Sequence, residues 1–316
     1  MRRLFILPSL FMTASIAFGQ VAFVPDGSTE IPITFTPHMT AVWSEGALVF
    51  VTNRFSDSPR LEVFDRSGRA RSSTPITIPG ASRINIYDNS FAHGADGSLA
   101  VVGTAFSDNN QGSAFLAIIS ANGSKQTLVR LSPFFPNSVA IARDGITWVA
   151  GHQWEEGKPR DHGQNLIRRY DKDGKMLDSL VTWASVSDKP HALAPDQASI
   201  LVSNKDRVIW FSPNTQSYFE FALDGKITKR IQTPGFANDQ IVSLAVCDDS
   251  SHLGVATLQN ETTKASWGIF TVNRDKSDWE YTPRKEREVS LYGCDGRRIA
   301  NRADYKTVSW FVANVN

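Results

Sequence analysis

At 316 residues, 41% of them hydrophobic, the chain has material for a sizeable core, and a repeat fold would absorb its whole length as one domain. Lysine and arginine total 33 against 32 for aspartate and glutamate, so the net charge is +1. That balance generates no large field, which speaks against nucleic acid or an anionic membrane surface as a partner.

The chain opens like an export signal. Arg2 and Arg3 precede an apolar run from Leu4 to Phe18, and Ala17-Phe18-Gly19 supplies a small-x-small cleavage site before Gln20. The run contains Pro8 and Ser9 and is too short for a membrane span. Residues 1–19 are read as a cleaved signal peptide and 20–316 as a single exported domain, periplasmic or secreted, with no transmembrane anchor.

Val21 to Val24, Pro25-Asp26-Gly27 and Ile31 to Phe35 then form an apolar, turn, apolar pattern ahead of any full repeat. From Met39 onward the chain falls into units of two hairpins each, an inner one and an outer one. Their turns are Glu45-Gly46 and Ser67-Gly68, then Asp96-Gly97 and Asn122-Gly123, then Asp144-Gly145 and Asp173-Gly174. Lys205-Asp206 and Asp224-Gly225 follow, then Asp248-Asp249 and Arg274-Asp275. The last unit has only an inner hairpin at Asp295-Gly296 and one further apolar strand, Val308 to Val315.

Runs of β-branched, aromatic and aliphatic residues joined by Asp-Gly are a strong hairpin signal, expected here as type I′ turns with positive φ. The outer-turn glycines Gly68, Gly123, Gly174 and Gly225 recur at about fifty residues, an interval used by propeller blades. The last unit lacks an outer strand, which the segment around Asp26-Gly27 can supply. The expected fold is all-β, a six-bladed β-propeller closed by an N-terminal strand completing the last blade. Radial packing then buries the apolar face of every unit.

One stretch carries a family pattern. Pro136-x-x-Val139-Ala140-Ile141-Ala142-x-Asp144-Gly145-x-x-Trp148-Val149-Ala150, followed by Ile167-x-Arg169-Tyr170-Asp171-x-Asp173-Gly174-Lys175, resembles the repeat of NHL-type and SMP-30 (gluconolactonase)-like six-bladed propellers. The resemblance carries motifs in that one blade and turn spacing in the others. It implies, for the enzymes of that group, a metal held by acidic and amide side chains at the mouth of the central channel. No set of positions in this sequence matches that ligand pattern.

In a propeller, the loops between second and third strands and those between blades share one face. Two such segments are long here and neighbours in the ring, Gly151 to Asn165 and Thr182 to Gln197. Together they hold His152, Trp154, Glu155, Glu156, Asp161, His162, Trp183 and His191, including three of the six histidines of the chain. Imidazoles beside carboxylates are the parts of a metal site or an acid and base pair, but this spacing matches no compact metal motif. The alternative is a solvated polar loop.

Trp154 and Trp183 are read either as rim platforms for a sugar or peptide or as loop anchors. The tryptophans within strands, Trp43, Trp148, Trp210, Trp267 and Trp310, are read as packing between blades. Arg54, Asp57 and Arg60 in the first unit and Asp108-Asn109-Asn110 in the second extend the polar rim, the last with oxygen donors suited to Ca²⁺. No cofactor is required by the sequence, and a divalent metal such as calcium at the channel stays open.

Cys247 and Cys294 each precede an aspartate at equivalent places in neighbouring units. An oxidising compartment invites a disulfide between them, provided their Cα atoms come within about 7 Å. The alternative is two small buried hydrophobes. The functional reading is a recognition module that presents rim loops to an extracytoplasmic protein, peptide or glycan. The competing reading is a metal-assisted hydrolase or lyase, lactonase-like, at the channel mouth. Oligomeric state is not legible.

Overall fold

A computed structural model describes residues 21–31, 41–153, 163–186, 199–212, 217–232, 240–247, 252–261, 264–273, 278–284, 291–296, 298–302 and 307–315. These residues are almost entirely β. In chain order the first strands are β1 (Val21–Glu30), β2 (Ala41–Ser44), β3 (Ala47–Thr52), β4 (Phe55–Ser56), β5 (Arg60–Phe64) and β6 (Ala70–Pro75). They are followed by β7 (Arg83–Asn85), β8 (Phe91–His93), β9 (Leu99–Phe106), β10 (Gly112–Ile119) and β11 (Gln126–Arg130). Next are β12 (Phe134–Ile141), β13 (Thr147–Gln153), β14 (Asn165–Tyr170), β15 (Met176–Thr182) and the single helical turn α1 (Trp183–Val186). The remainder are β16 (Ile200–Asn204), β17 (Arg207–Ser212), β18 (Ser217–Ala222), β19 (Ile227–Gln232), β20 (Gln240–Val246), β21 (His252–Glu261), β22 (Lys264–Asn273), β23 (Asp278–Arg284), β24 (Leu291–Asp295), β25 (Arg298–Arg302) and β26 (Thr307–Val315).

Among the described residues these strands form six sheets. Sheet I is β2-β3-β5-β6, and sheet II runs β11-β10-β9-β7-β4 with β8 also on β9. Sheets III, IV and V are the meanders β12 to β15, β16 to β19 and β20 to β23, and sheet VI is β24-β25-β26-β1. The innermost strands touch in the order β2, β8, β12, β16, β20, β24 and back to β2. The result is an all-β, propeller-like arrangement.

The burial pattern follows from that radial layout. Second strands such as β3 and β9 lie between neighbouring sheets and are buried on both faces, so they read as continuous apolar runs instead of alternating ones. Outer strands are less buried and correspondingly polar or mixed, β6 mostly exposed and β15 mostly half-buried. Aromatic rings fill the seams, as the strand tryptophans imply. Trp43 of sheet I meets Trp310 of sheet VI edge-on at 4.8 Å, and Trp148 of sheet III lies 5.5 Å from Phe221 of sheet IV.

The Asp-Gly turns differ from the expected type. In a type I′ turn both central residues have positive φ, and this holds at Glu45 (48°) and Gly46 (72°). At Asp144-Gly145 only the glycine does (82°), and its N–H donates to Ala142 O (2.8 Å) while Ala142 N–H donates to Ile146 O (2.9 Å). This is a three-residue loop, a type I turn ending in a glycine bulge. The aspartate serves through its side chain, since Asp144 Oδ1 accepts the N–H of Ile146 at 3.1 Å. Asp96 and Asp224 bond Ser98 and Lys226 in the same way, at 2.9 Å each.

Strand β1 pairs with β26 from Val21↔Val315 to Glu30↔Thr307, so residues distant in sequence share sheet VI. Arg66 of sheet I ties this sheet to its neighbour. Its guanidinium lies 3.4 Å from Asp295, 3.8 Å from Asp26 and 4.9 Å over the Trp310 ring. Arg298 also pairs with Asp26. Thr29 Oγ1 donates to Arg66 O (2.9 Å) and accepts from Trp310 Nε1 (3.0 Å).

Gly68, at φ 82°, allows the close approach, because a Cβ there would run into the carbonyl oxygen of Glu30. Replacing Gly68 by alanine is expected to cost about 2 kcal/mol through the clash and the left-handed φ. Chemical denaturation with parallel limited proteolysis near residue 30 reads this, and an unchanged midpoint would show that β1 does not depend on the approach.

Cys247, just past β20, and Cys294, in β24, are joined by a disulfide with Cα atoms 5.0 Å apart. It links the inner strands of sheets V and VI. No helix among the described residues is long and apolar enough to cross a membrane.

Candidate functional site

The sheets leave a narrow axial cavity of about 40 Å³, lined from all six inner strands by side chains such as Val42, Phe91, Ile141, Leu201, Leu244 and Tyr292. Among the described residues its lining is mostly apolar, with Ser44, Asn89 and Ser203 as polar members. Functional groups therefore have to be sought around its mouths.

On one face the connection from β3 to β5 leaves its own sheet. Its strand β4 pairs with β7 (Phe55↔Asn85), and Ile86 N–H donates to Arg54 O at 2.9 Å. Strand β7 in turn pairs with β9 (Asn85↔Thr104), where Gly103 is required because a Cβ there would strike Asn85 O. Between β7 and β8 the chain bulges outward with Asn89 at φ 58°. Such interruptions of a strand re-aim side chains. Here Ile86 turns fully into the core, whereas Tyr87 stands out 46% exposed.

The consequence is a compact aromatic and charged cluster. Phe55, 50% exposed, and Tyr87 lie 6.3 Å apart at 66°. Arg54 sits 4.7 Å over the Phe55 ring and pairs with Asp88 at 2.6 Å. Asn89, one residue beyond Asp88, lines the axial cavity, so the cluster stands at its mouth. Further along the sheet Arg83 covers Phe106 at 4.5 Å and donates to Asn110 Oδ1 at 3.2 Å. Two cation–π contacts and one ion pair brace the Phe55 and Phe106 rings.

The sequence candidates divide as follows. Arg54 belongs to the cluster. Asp108 is exposed in the Ser107 to Gln111 turn between β9 and β10, at the end of the sheet where Arg83 reaches Asn110. The neighbouring amides are already used, since Asn109 Oδ1 accepts the Ser107 hydroxyl and Asn110 Oδ1 accepts Arg83. Each of these amide oxygens thus accepts a hydrogen bond that braces the turn.

His152 ends β13 opposite Phe135 and stacks on it at 6.1 Å. Trp183 corrects the platform reading. It is 6% exposed and packs with Trp148, Leu166 and Leu201, so its ring anchors the loop stem. Val181 just before it has φ 55°, an uncommon conformation for a β-branched residue that costs about 1 kcal/mol and accompanies the sharp bend into α1. Trp154, Glu155, Glu156, Asp161, His162 and His191 lie outside the described residues. The stems of their two segments do meet, with Asn165 opposite Thr182 and Trp183 N–H donating to Gln164 O at 2.9 Å.

Phe55, Tyr87 and Arg83 escaped the sequence reading. Their only local sign is an aromatic ring standing in a polar segment, and their proximity is created by pairing between two sheets.

The opposite face has a larger cleft, about 630 Å³, between sheets II and III. Its carboxylates are occupied in turns. Asp96 binds the Ser98 hydroxyl and amide, which holds its carboxyl below the usual range. Asp171 accepts the N–H groups of Asp173 and Lys175 at 2.9 Å. Asp173 is lowered by its bond to Lys125 across the cleft, at 2.9 Å. Among the described residues no group of three His, Cys, Asp or Glu is placed to hold a metal ion.

No protein-family model and no curated protein matches the sequence. Among solved structures, the chain is similar to a member of the DUF4221 family from Bacteroides vulgatus, with 9% identity, a TM-score of 0.55, and coverage of 95% of this chain and 99% of that one. It is also similar to a protein described as exported from Bacteroides fragilis, with 11% identity, a TM-score of 0.56 and coverage of 96% of both chains. An oligogalacturonate lyase in complex with manganese stands further off, at 8% identity and a TM-score of 0.48 over 86% of this chain and 74% of that chain. At such identities the likeness is one of fold, all-β and propeller-like, and no residue role transfers with it.

Proposed function

We propose that this chain is an exported six-bladed β-propeller of NHL-type or SMP-30-like build, closed by β1, that acts as a recognition module for a protein, peptide or glycan outside the cytoplasm. The observation that carries the reading is the braced pair of exposed rings, Phe55 and Tyr87, at the mouth of an apolar axis. Exposed aromatic rings held by charged neighbours are typical of binding surfaces, where large rigid side chains dominate the affinity. Six sheets whose inner strands touch in a ring, with β1 on β26, support the blade count and the closure. The signal-like first nineteen residues and the disulfide support export.

The surface extends in this reading to His152 and the neighbouring segments that carry Trp154, Glu155, Glu156, Asp161, His162 and His191. The adjoining stems of those segments support it.

Glycan and peptide arrays probed with the mature chain test the proposal. The wild type is expected to retain a discrete set of ligands, and the Phe55→Ala/Tyr87→Ala double variant to lose their signals by about tenfold or more. Its thermal midpoint should stay within about a degree of wild type, because exposed side chains contribute little to folding. Arrays that bind nothing, or a double variant that binds as wild type does, would sink it.

A further inference from the structure

The rings at the mouth belong to a longer strip, and the strand register shows which side chains share it. Phe55 on β4 stands opposite Asn85 on β7. Two residues along β7, Arg83 stands opposite Phe106 on β9, which in turn stands opposite Gly112 on β10. Directly paired residues lie on the same side of a sheet, and so do alternate residues of one strand. Arg83 and Asn85 therefore share a side with Phe55 and Phe106, and the contact between the Tyr87 and Phe55 rings places Tyr87 there too. Ile84 and Ile86 point the other way, into the core shared with sheet I.

The strip is open along its length. Tyr87, Phe55 and Arg83 are exposed, and Asn85 and Phe106 are half-buried. Gly112, where a Cβ would sit 3.0 Å from Phe106 Cε1, leaves the flank of that ring bare. The two ends differ in charge. Arg54, at the Phe55 end, already has Asp88 as its partner. Arg83, at the other end, lies over Phe106, donates to Asn110 Oδ1 and forms no ion pair among the described residues. Its guanidinium has further N–H donors to offer. Asn85, the residue opposite Phe55, and Arg83 are two positions apart, about 6.6 Å along the strand. That interval is also the side-chain repeat of any extended chain, in which residues i and i+2 point the same way.

We propose that the rim reads an extended acidic peptide laid along β7, with an aliphatic or aromatic side chain seated on Phe55 and Tyr87 and a carboxylate two residues away meeting Arg83. This rests on the recognition reading above and narrows its ligand to one class. A guanidinium suits a carboxylate because its N–H groups match the two oxygens. The bare flank of Phe106 receives the methylene stem of a glutamate.

Calorimetric titration of the mature chain with three capped peptides tests the assignment. They are Ser-Gly-Leu-Thr-Glu-Gly-Ser, its analogue with Gln in place of Glu, and the transposed Ser-Gly-Leu-Glu-Thr-Gly-Ser, whose acid leaves the leucine side of the chain. The first is expected to bind saturably and the other two about tenfold more weakly, the loss expected for a charge-assisted hydrogen bond. Arg83→Gln should weaken the first peptide about tenfold and leave the Gln analogue unchanged. Phe55→Ala/Tyr87→Ala should weaken all three. Equal affinity for the Glu and Gln peptides, an unchanged affinity of the first peptide in Arg83→Gln, or no heat from it up to about 10 mM would overturn the proposal. Array ligands that are all glycans yet depend on Phe55 and Tyr87 would overturn this assignment alone and leave the recognition reading standing.

Discussion

Replacing Arg169 by alanine is expected to lower the unfolding free energy by about 3 kcal/mol, the range for breaking a buried charge pair. The side chain is 8% exposed at the seam of sheets III and IV. Its Nε and Nη2 bond both oxygens of Asp178, Nη1 donates to Leu223 O at 2.7 Å, and the guanidinium lies 5.1 Å over Trp148. The Asp178 bonds favour the charged guanidinium and hold the Arg169 pKa above its ordinary value. Gly225 makes room for it, since a Cβ there would lie 3.0 Å from Arg169 Cζ.

Truncation therefore leaves a carbonyl without its donor, a carboxylate without its fork and a void beside Trp148. Asp178 is 40% exposed and recovers solvent, which keeps the cost at the lower end of that range. Arg169→Lys should recover part of the loss, because one ammonium cannot reproduce three bonds in a plane. Urea unfolding measures both, and a shift under about 0.5 kcal/mol in the alanine variant would contradict the seam's dependence on this residue.

The second large effect concerns the link between sheets V and VI. Cys247 and Cys294 are separated by 47 positions, for which loop closure in the unfolded chain amounts to about 4 kcal/mol in the entropic account. Cys247→Ser is expected to destabilise by about 3 kcal/mol, as engineered losses usually fall below that figure. Cys294→Ser should cost the same, and the double variant no more than either alone, since one bond is lost in all three. Additive losses would show that each sulfur contributes through packing instead.

The sequence made the repeating architecture legible because its signals are local. The Asp-Gly turns lie at hairpin ends, and the apolar runs became the strands buried between sheets. The type of turn was not legible, because Asp-Gly fits both a two-residue I′ loop and a three-residue loop with a glycine bulge. What separates them is where the backbone hydrogen bond closes, as at Gly145 N–H to Ala142 O.

The rim was largely hidden for a different reason. Strands of two and three residues, β4 and β7, show no periodicity, and the meeting of Phe55 with Tyr87 spans two sheets. Arg54 was found as a polar loop residue, but its partners were not. Trp183 shows the converse case. A tryptophan beside a long loop satisfies both a platform and an anchor, and only its packing against Leu166 and Leu201 decides between them.

The central claim is that recognition resides in the aromatic cluster at the mouth of the ring and not in exposed apolar residues generally. Met176, 50% exposed on the outer strand β15, provides a matched control. The direct measurement is the dissociation constant of the strongest array ligand for wild type, Phe55→Ala and Met176→Ala. The account predicts at least about a tenfold increase for Phe55→Ala and no change for Met176→Ala. Equal constants for all three proteins, or a larger loss at Met176, would contradict it.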